Sequence, residues 1–116
     1  MKLLVAGSRN IRNIDLSKYI DGDIDLIITG GAKGIDEIAE NYADEHRISK
    51  LVIYPQYDIF KRVAPLKRNE IMVDIADSVL VIWDGISKGS KHTIEYANKK
   101  GKELRVIMID KKLSQL

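Results

Sequence analysis

The sequence predicts a single doubly wound α/β domain, Rossmann-like in architecture, over residues 1–116. The expected sheet has five parallel strands in the order 3-2-1-4-5, with helices on both faces. Three observations carry this expectation. Five short apolar runs recur along the chain, at Leu3–Ala6, Leu26–Thr29, Leu51–Tyr54, Val79–Trp83 and Val106–Ile109. They are near-continuous in Val, Ile and Leu instead of alternating, as in strands covered on both faces of a parallel sheet. Segments of helical periodicity separate them, and strand–helix alternation gives right-handed crossovers.

The elements follow in order. After the first run, Asp15–Ile20 reads as a short helix capped by Asn13 or Asp15, whose side chains can accept from free N–H groups. Gly34–His46 is the clearest helix. Ile35, Ile38, Ala39, Tyr42 and Ala43 fall on one face at spacings of three and four, and Glu37, Glu40, Asp44 and Glu45 fall elsewhere, toward water. Pro65 suits the first turn of the next helix, Pro65–Ala76, with Leu66, Met72 or Val73, and Ala76 facing inward. Ser90–Lys100 makes the last helix, with Ile94 and Ala97 inward. Gly101 suits its C-terminal cap, and Lys99 and Lys100 favour the negative end of its dipole.

Composition bounds the function classes. The chain has 116 residues, 45% hydrophobic and 31% charged, which suits one globular domain and not two. No apolar stretch approaches the roughly 20 residues that span a bilayer, and the apolar start is too short for a signal peptide, so a cytoplasmic protein with no membrane partner is expected. There are no cysteines, which excludes disulfides and thiolate metal sites, and His46 and His92 belong to no metal-ligand pattern. The net charge of +2 is too small to demand a nucleic-acid partner. Its distribution is more telling. Lys61, Arg62, Lys67, Arg68, Lys88 and Lys91 all fall in loops expected at one sheet edge, where they would focus anions or simply stay solvated.

The tails after the first four runs carry the chemistry. Parallel strands put them along one edge, where open α/β sheets bind ligands. In Gly7-Ser8-Arg9 the glycine lets backbone approach a ligand, and Ser and Arg can donate to phosphate. In Gly30-Gly31-Ala32-Lys33-Gly34-Ile35-Asp36 a strand ends and a helix begins at once, so free N–H groups form a ready anion site. The spacing is neither a Walker A loop nor G-x-G-x-x-G. Asp36 reads equally as a first-turn carboxylate on the helix dipole or as a pocket residue accepting from a ribose hydroxyl or Lys33. Arg68 reads as functional and Lys67 as a solvated cation. Asn69 would orient Arg68 or read a base edge. Asp84-Gly85-Ile86-Ser87-Lys88-Gly89-Ser90 repeats the logic of the first Gly-rich loop, with Asp84 placed for a ribose hydroxyl. Trp83 reads as core and His92 as a surface histidine.

Taken in order, GSR at Gly7–Arg9, GGAKGID at Gly30–Asp36, KRNEIM at Lys67–Met72 and WDGISKGSKHTI at Trp83–Ile94 resemble the YspA-like branch of the SLOG superfamily. That superfamily joins the DprA/Smf and lonely-guy groups. The resemblance covers essentially the whole chain. It implies a Rossmann-like fold that binds nucleotides or nucleotide-derived molecules at the strand C-termini, as sensor or processing domain. The lonely-guy enzymes cleave the N-glycosidic bond of nucleoside monophosphates with a helical Arg and a P-G-G-x-G-T-x-x-E loop. Arg68 resembles that Arg, and Gly89-Ser90 resembles the Gly-Thr. The glutamate position falls on Thr93, and Glu95 would point roughly 200° around the helix at ~100° per residue. The carboxylate that glycoside cleavage needs is therefore missing from its place.

The first expectation is a small nucleotide-ligand-binding domain. Arg9, Arg68, Ser90 and the backbone of Gly30–Gly34 and Gly89 would hold phosphate, Asp36 and Asp84 would hold ribose, and Gly7, Ser8, Asn69, Gly85 and Ser87 would complete the site. The alternative is a phosphoribohydrolase-like nucleotide hydrolase, with Asp36, Asp84 and Arg68 as catalytic candidates. A third reading is single-stranded nucleic-acid binding by Tyr54, Tyr57, Phe60, Lys61 and Arg62, which needs a basic groove with stacking aromatics. A lid packed over the pocket is preferred for these residues. No metal site shows in the sequence. Mg²⁺ bridging phosphate and Asp, and a homo-oligomeric state, stay open.

Overall fold

The computed structural model describes residues 1–109, so residues 110–116 of the expected domain lie outside it. Five strands form one all-parallel sheet: β1 (Lys2–Gly7), β2 (Leu26–Thr29), β3 (Ser49–Val52), β4 (Ser78–Trp83) and β5 (Glu103–Met108). The order is β3-β2-β1-β4-β5, as the sequence predicts. Alternate residues of the central strands feed two cores. Leu3, Val5, Leu80 and Ile82 pack with Ile35, Ala39 and Ala43 of α1 (Ile35–Glu45) on one face. Leu4, Ala6, Val79 and Val81 pack on the other with Met72 and Val73 of α3 (Ala64–Ile75) and Ala97 of α4 (Lys88–Lys99). A four-residue helix α2 (Tyr57–Phe60) precedes α3 and was not foreseen. Among the described residues no helix is long and apolar enough to cross a membrane.

The helices keep their expected faces with small shifts at their ends. In α1, Ile35, Ala39 and Ala43 are buried and Ile38 and Tyr42 half-buried. Pro65 sits in the first turn of α3, where its missing N–H costs no helical bond. The expected helix at Asp15–Ile20 shrinks to a single 3₁₀ turn, Leu16–Lys18, and Asp15 caps it by accepting from the Ser17 N–H at 3.1 Å. Gly101 follows the Lys100 cap of α4 at φ +68°.

The edge strands depart from expectation. β3 begins at Ser49, not Leu51, and β5 at Glu103, not Val106. The registers explain it. Ser49 pairs with Leu26 and Glu103 with Ser78, because a neighbour's backbone recruits polar residues as readily as apolar ones. The apolar runs mark where side chains are apolar, whereas backbone pairing sets where a strand begins. Coverage on both faces likewise holds only for the centre. Ser49, Lys50 and Leu51 of β3 are exposed, as are Val106 and Met108 of β5.

The C-terminal end of β1 is the tightest point of this framework. A Cβ on Gly7 would lie 2.4 Å from the Ile82 carbonyl oxygen and 2.6 Å from Cγ1 of Ile35, which is fully buried. Overpacking of this kind costs about 1–3 kcal/mol. Gly7→Ala should therefore lower the urea midpoint of unfolding by about that free energy with an unchanged m-value. A loss under about 0.5 kcal/mol would show that β1 and α1 can separate cheaply.

Candidate functional site

The strand order reverses between β1 and β4, and the loops leaving the two strands part there to opposite faces. A cavity of about 460 Å³ opens at this point. The loop after β1 lines it with Gly7, Arg9 and Asn10, the loop and helix start after β2 with Ala32 and Asp36, and α3 with Arg68 and Asn69. The segment after β4 adds Asp84, Ser87, Gly89 and Ser90. Ala6, Pro65, Leu66 and Met72 supply apolar surface. A second cavity, about 490 Å³, adjoins it and takes in Gly30, Gly31 and Lys33. It shares Arg9, Ala32 and Arg68 with the first.

Arg68 is only 7% exposed. Its Nη1 donates to the carbonyl oxygens of Gly30 and of Ile53 (3.3 Å), and its Nε donates to Asn69 Oδ1 at 2.8 Å. Asn69 in turn donates to the Gly89 carbonyl at 3.4 Å, so it orients the guanidinium and ties α3 to the β4 loop. Gly30 makes room for this arrangement, since a Cβ there would lie 2.5 Å from Arg68 Nη1. Arg68 lies in the second turn of α3, because that helix starts at Ala64.

Asp36 is 7% exposed. It stands in the first turn of α1 and lines the cavity. Its carboxylate accepts from the Ala32 N–H at 3.2 Å. Burial pushes its pKa up, with the Ala32 and Gly30 N–H groups and the Arg68 charge opposing. Burial also lowers the pKa of Arg68, against the pull of Asp36 and with the push of Arg9. The guanidinium stays charged at neutral pH all the same.

Asp84 serves its own loop. Its Oδ1 accepts from the N–H groups of Ile86 and Ser87, each at 2.9 Å, and its Oδ2 accepts from Asn10 Nδ2 at 3.1 Å. Ser8, 1% exposed, lies behind the cavity wall. Its hydroxyl accepts from the Asp84 N–H at 3.0 Å and meets Ser87 Oγ at 3.0 Å, and Ser87 meets Ser90 Oγ at 3.2 Å. The Trp83 indole donates to the Ser87 carbonyl at 3.0 Å and packs partly against the core. Gly34 is also hidden. Its φ is +77°, and a Cβ would lie 2.6 Å from the carbonyl oxygens of both Ser8 and Arg9. Only glycine lets α1 begin this close to the β1 loop.

Of the residues expected in the site, Gly7, Arg9, Ala32, Asp36, Arg68, Asn69, Asp84, Ser87, Gly89 and Ser90 line the first cavity. Gly30, Gly31 and Lys33 line the second, and Ser8, Gly34 and Gly85 line neither. Of the six cations expected along this edge, Arg62 and Arg68 line the first cavity. Lys67 pairs with Glu70 at 3.7 Å, Lys91 with Glu95 at 3.9 Å, and Lys61 donates to the Asp58 carbonyl at 3.1 Å. Asn10, Arg12 and Thr93 were not assigned to the site from sequence. Asn10 follows directly on Gly7-Ser8-Arg9, which was its only signal. Thr93 is 1% exposed and donates to the Gly89 carbonyl at 3.1 Å, while the Glu95 side chain is 64% exposed. His92 bridges α4 to Glu70 of α3 at 2.9 Å.

No family model matches this chain, and no curated protein or solved structure matches it. The chemistry of the cleft is therefore read from its own groups. Neither α1 nor α4 has a side-chain hydrogen bond at its N-cap. The Ile35 N–H that opens α1 is taken by the Ser8 carbonyl at 3.4 Å, whereas the first turn of α4 brings Gly89 and Ser90 to the cavity wall, where its N–H groups can meet an anion. Among the described residues, no group of three or more His, Asp and Glu side chains is placed to hold a metal ion.

The Asp84 pKa is lowered from 3.8 to about 2. Burial alone would raise it, but the Ser87 and Ile86 N–H groups and the Asn10 and Ser8 side chains outweigh burial. The folded chain thus binds this proton more weakly than the unfolded one. The stabilisation is present above about pH 4 and is lost as pH falls toward 2. Thermal midpoints of the parent should fall more steeply across that window than those of Asp84→Asn. Parallel profiles would show that the charge does not hold the loop.

Proposed function

We propose that the cleft binds a nucleotide or nucleotide-derived ligand and that the chain acts as a sensor or processing domain. One observation carries this reading: a buried, oriented Arg68, an exposed Arg9 and the uncapped start of α4 converge on a single cavity. Convergent cations and free N–H groups suit phosphate. The volume of about 460 Å³ suits a small organic ligand. Pro65, Leu66 and Met72 offer a surface for a base, and Asp36 can accept from a ribose hydroxyl. The resemblance of the four loop motifs to the YspA-like branch of the SLOG superfamily supports the same ligand class.

A second reading, hydrolysis of a nucleotide, is favoured by the upward shift of the Asp36 carboxyl inside the cavity. Burial of this kind is how a carboxylic acid is kept available as a proton donor. Asp84, lowered to about 2 and occupied by its own loop, is poorly suited to that task.

Proton NMR of a nucleotide panel mixed with the protein, with Mg²⁺ present and followed over hours, tests both readings. Selective broadening without new resonances is the expected result. Growth of free-base or ribose phosphate signals that stops in Asp36→Asn would favour the hydrolase. Arg9 lines both cavities, is exposed, and makes no ion pair within 4.0 Å among the described residues. Arg9→Ala should weaken binding on the order of tenfold or more, the loss of one charge-assisted hydrogen bond, without lowering the thermal midpoint. Unchanged affinity would remove Arg9 from the phosphate site.

A further inference from the structure

The adjoining cavity differs in chemistry from the one just assigned, and the difference specifies the ligand further. The two open into each other over Arg9 and Arg68. The first is lined by the carboxylates Asp36 and Asp84 beside its apolar surface. The second is lined by Arg9, Arg12, Lys33 and Arg68, with no acid among the described residues. None of these four cations makes an ion pair within 4.0 Å among the described residues. Like charges gathered around one concave space repel each other and raise the local potential for anions. A mononucleotide seated in the first cavity would leave Arg12 and Lys33 unmatched.

The remaining wall is aromatic. Tyr54 is 64% exposed and Tyr57 56% exposed, although both line this cavity. Tyr54 lies directly on the backbone of Gly31, where a Cβ would come within 2.5 Å of its ring. That contact fixes one side of the ring and leaves the rest open. Arg68 is nine-tenths buried, and its Nη2 has no hydrogen-bond partner among the described residues, unlike Nε and Nη1. A desolvated guanidinium with a free edge beside two open rings suits a phosphate chain that continues into a planar group.

We propose that the second cavity is a subsite for a second ring-bearing group on the same ligand. The phosphate chain crosses the saddle of Arg9 and Arg68, and the distal group stacks on Tyr54 or Tyr57. Resting on the nucleotide reading above, this makes the ligand a two-headed nucleotide of the dinucleoside polyphosphate kind.

Isothermal titration of the full chain at fixed salt tests this, with diadenosine tetraphosphate against ATP and diguanosine tetraphosphate against GTP. The two-headed ligand of the preferred base should bind on the order of tenfold to a hundredfold more tightly, the range that base–aromatic stacking supplies. The double variant Tyr54→Ala, Tyr57→Ala should erase that gain and leave the triphosphate affinity unchanged. Both rings are exposed, so this variant should keep the parent's thermal midpoint. Arg12→Ala should weaken the two-headed ligand alone. Equal affinities, or a gain that survives loss of both tyrosines, would overturn the second subsite and leave the nucleotide site standing. Failure of all four compounds to bind would overturn the nucleotide reading and the subsite with it.

Discussion

A buried guanidinium has to find its hydrogen-bond partners inside the protein, and Arg68 finds them on three separate segments. It reaches the end of β2 at Gly30, the end of β3 at Ile53 and its neighbour Asn69, which continues to Gly89 after β4. Leaving such a charge unpaired would cost several kcal/mol, so the three segments are held at the distances the guanidinium demands. The cleft is thus organised around a cation instead of a carboxylate. Its carbonyl partners lie on the strand ends and leave the outer edge of the group turned to the cavity.

Much of this was legible in the sequence, and the part that was not has a common cause. Strand order, helix faces and the grouping of four loops at one edge follow from apolar runs and from the geometry of parallel sheets. The sequence also singled out Arg68 as functional, while it left Asp36 evenly between a carboxylate on the helix dipole and a pocket residue. What it did not show is which polar residues are occupied by their own neighbours. Asp84 and Ser8 look like ligand groups because they end strands, yet both hold loops together. The bonds from the Ile86 and Ser87 N–H groups to Asp84 are local, but Asn10 meets Asp84 from 74 residues away and Ser87 meets Ser8 from 79 residues away, and no local pattern announces those two contacts. The edge strands were misplaced for a related reason. Hydrogen bonding along a ladder is indifferent to side chain, whereas the apolar pattern reports only side-chain character.

Close packing at the strand ends reinforces the same framework. Gly7 lets Ile35 of α1 come against β1, and Gly34 lets that helix begin beneath the carbonyl groups of Ser8 and Arg9. The start of α1 is therefore set by backbone contacts that no side chain could enter. Asp36 inherits its position from them. A carboxyl placed this rigidly, and this far out of water, has its affinity for protons raised by burial.

The serine chain behind the cleft has a direction. Each hydroxyl carries one proton. Ser87 gives its proton to Ser90, so at the Ser8–Ser87 contact Ser8 must be the donor, while its own oxygen takes the Asp84 N–H. Donation therefore runs one way, from Ser8 through Ser87 to Ser90. The last of them, Ser90, has accepted a hydrogen bond and keeps its own proton to give at the cavity wall. The chain that begins at Ser8, sealed from solvent, thus ends at the surface of the cleft, and Ser90 is presented to an occupant as a donor.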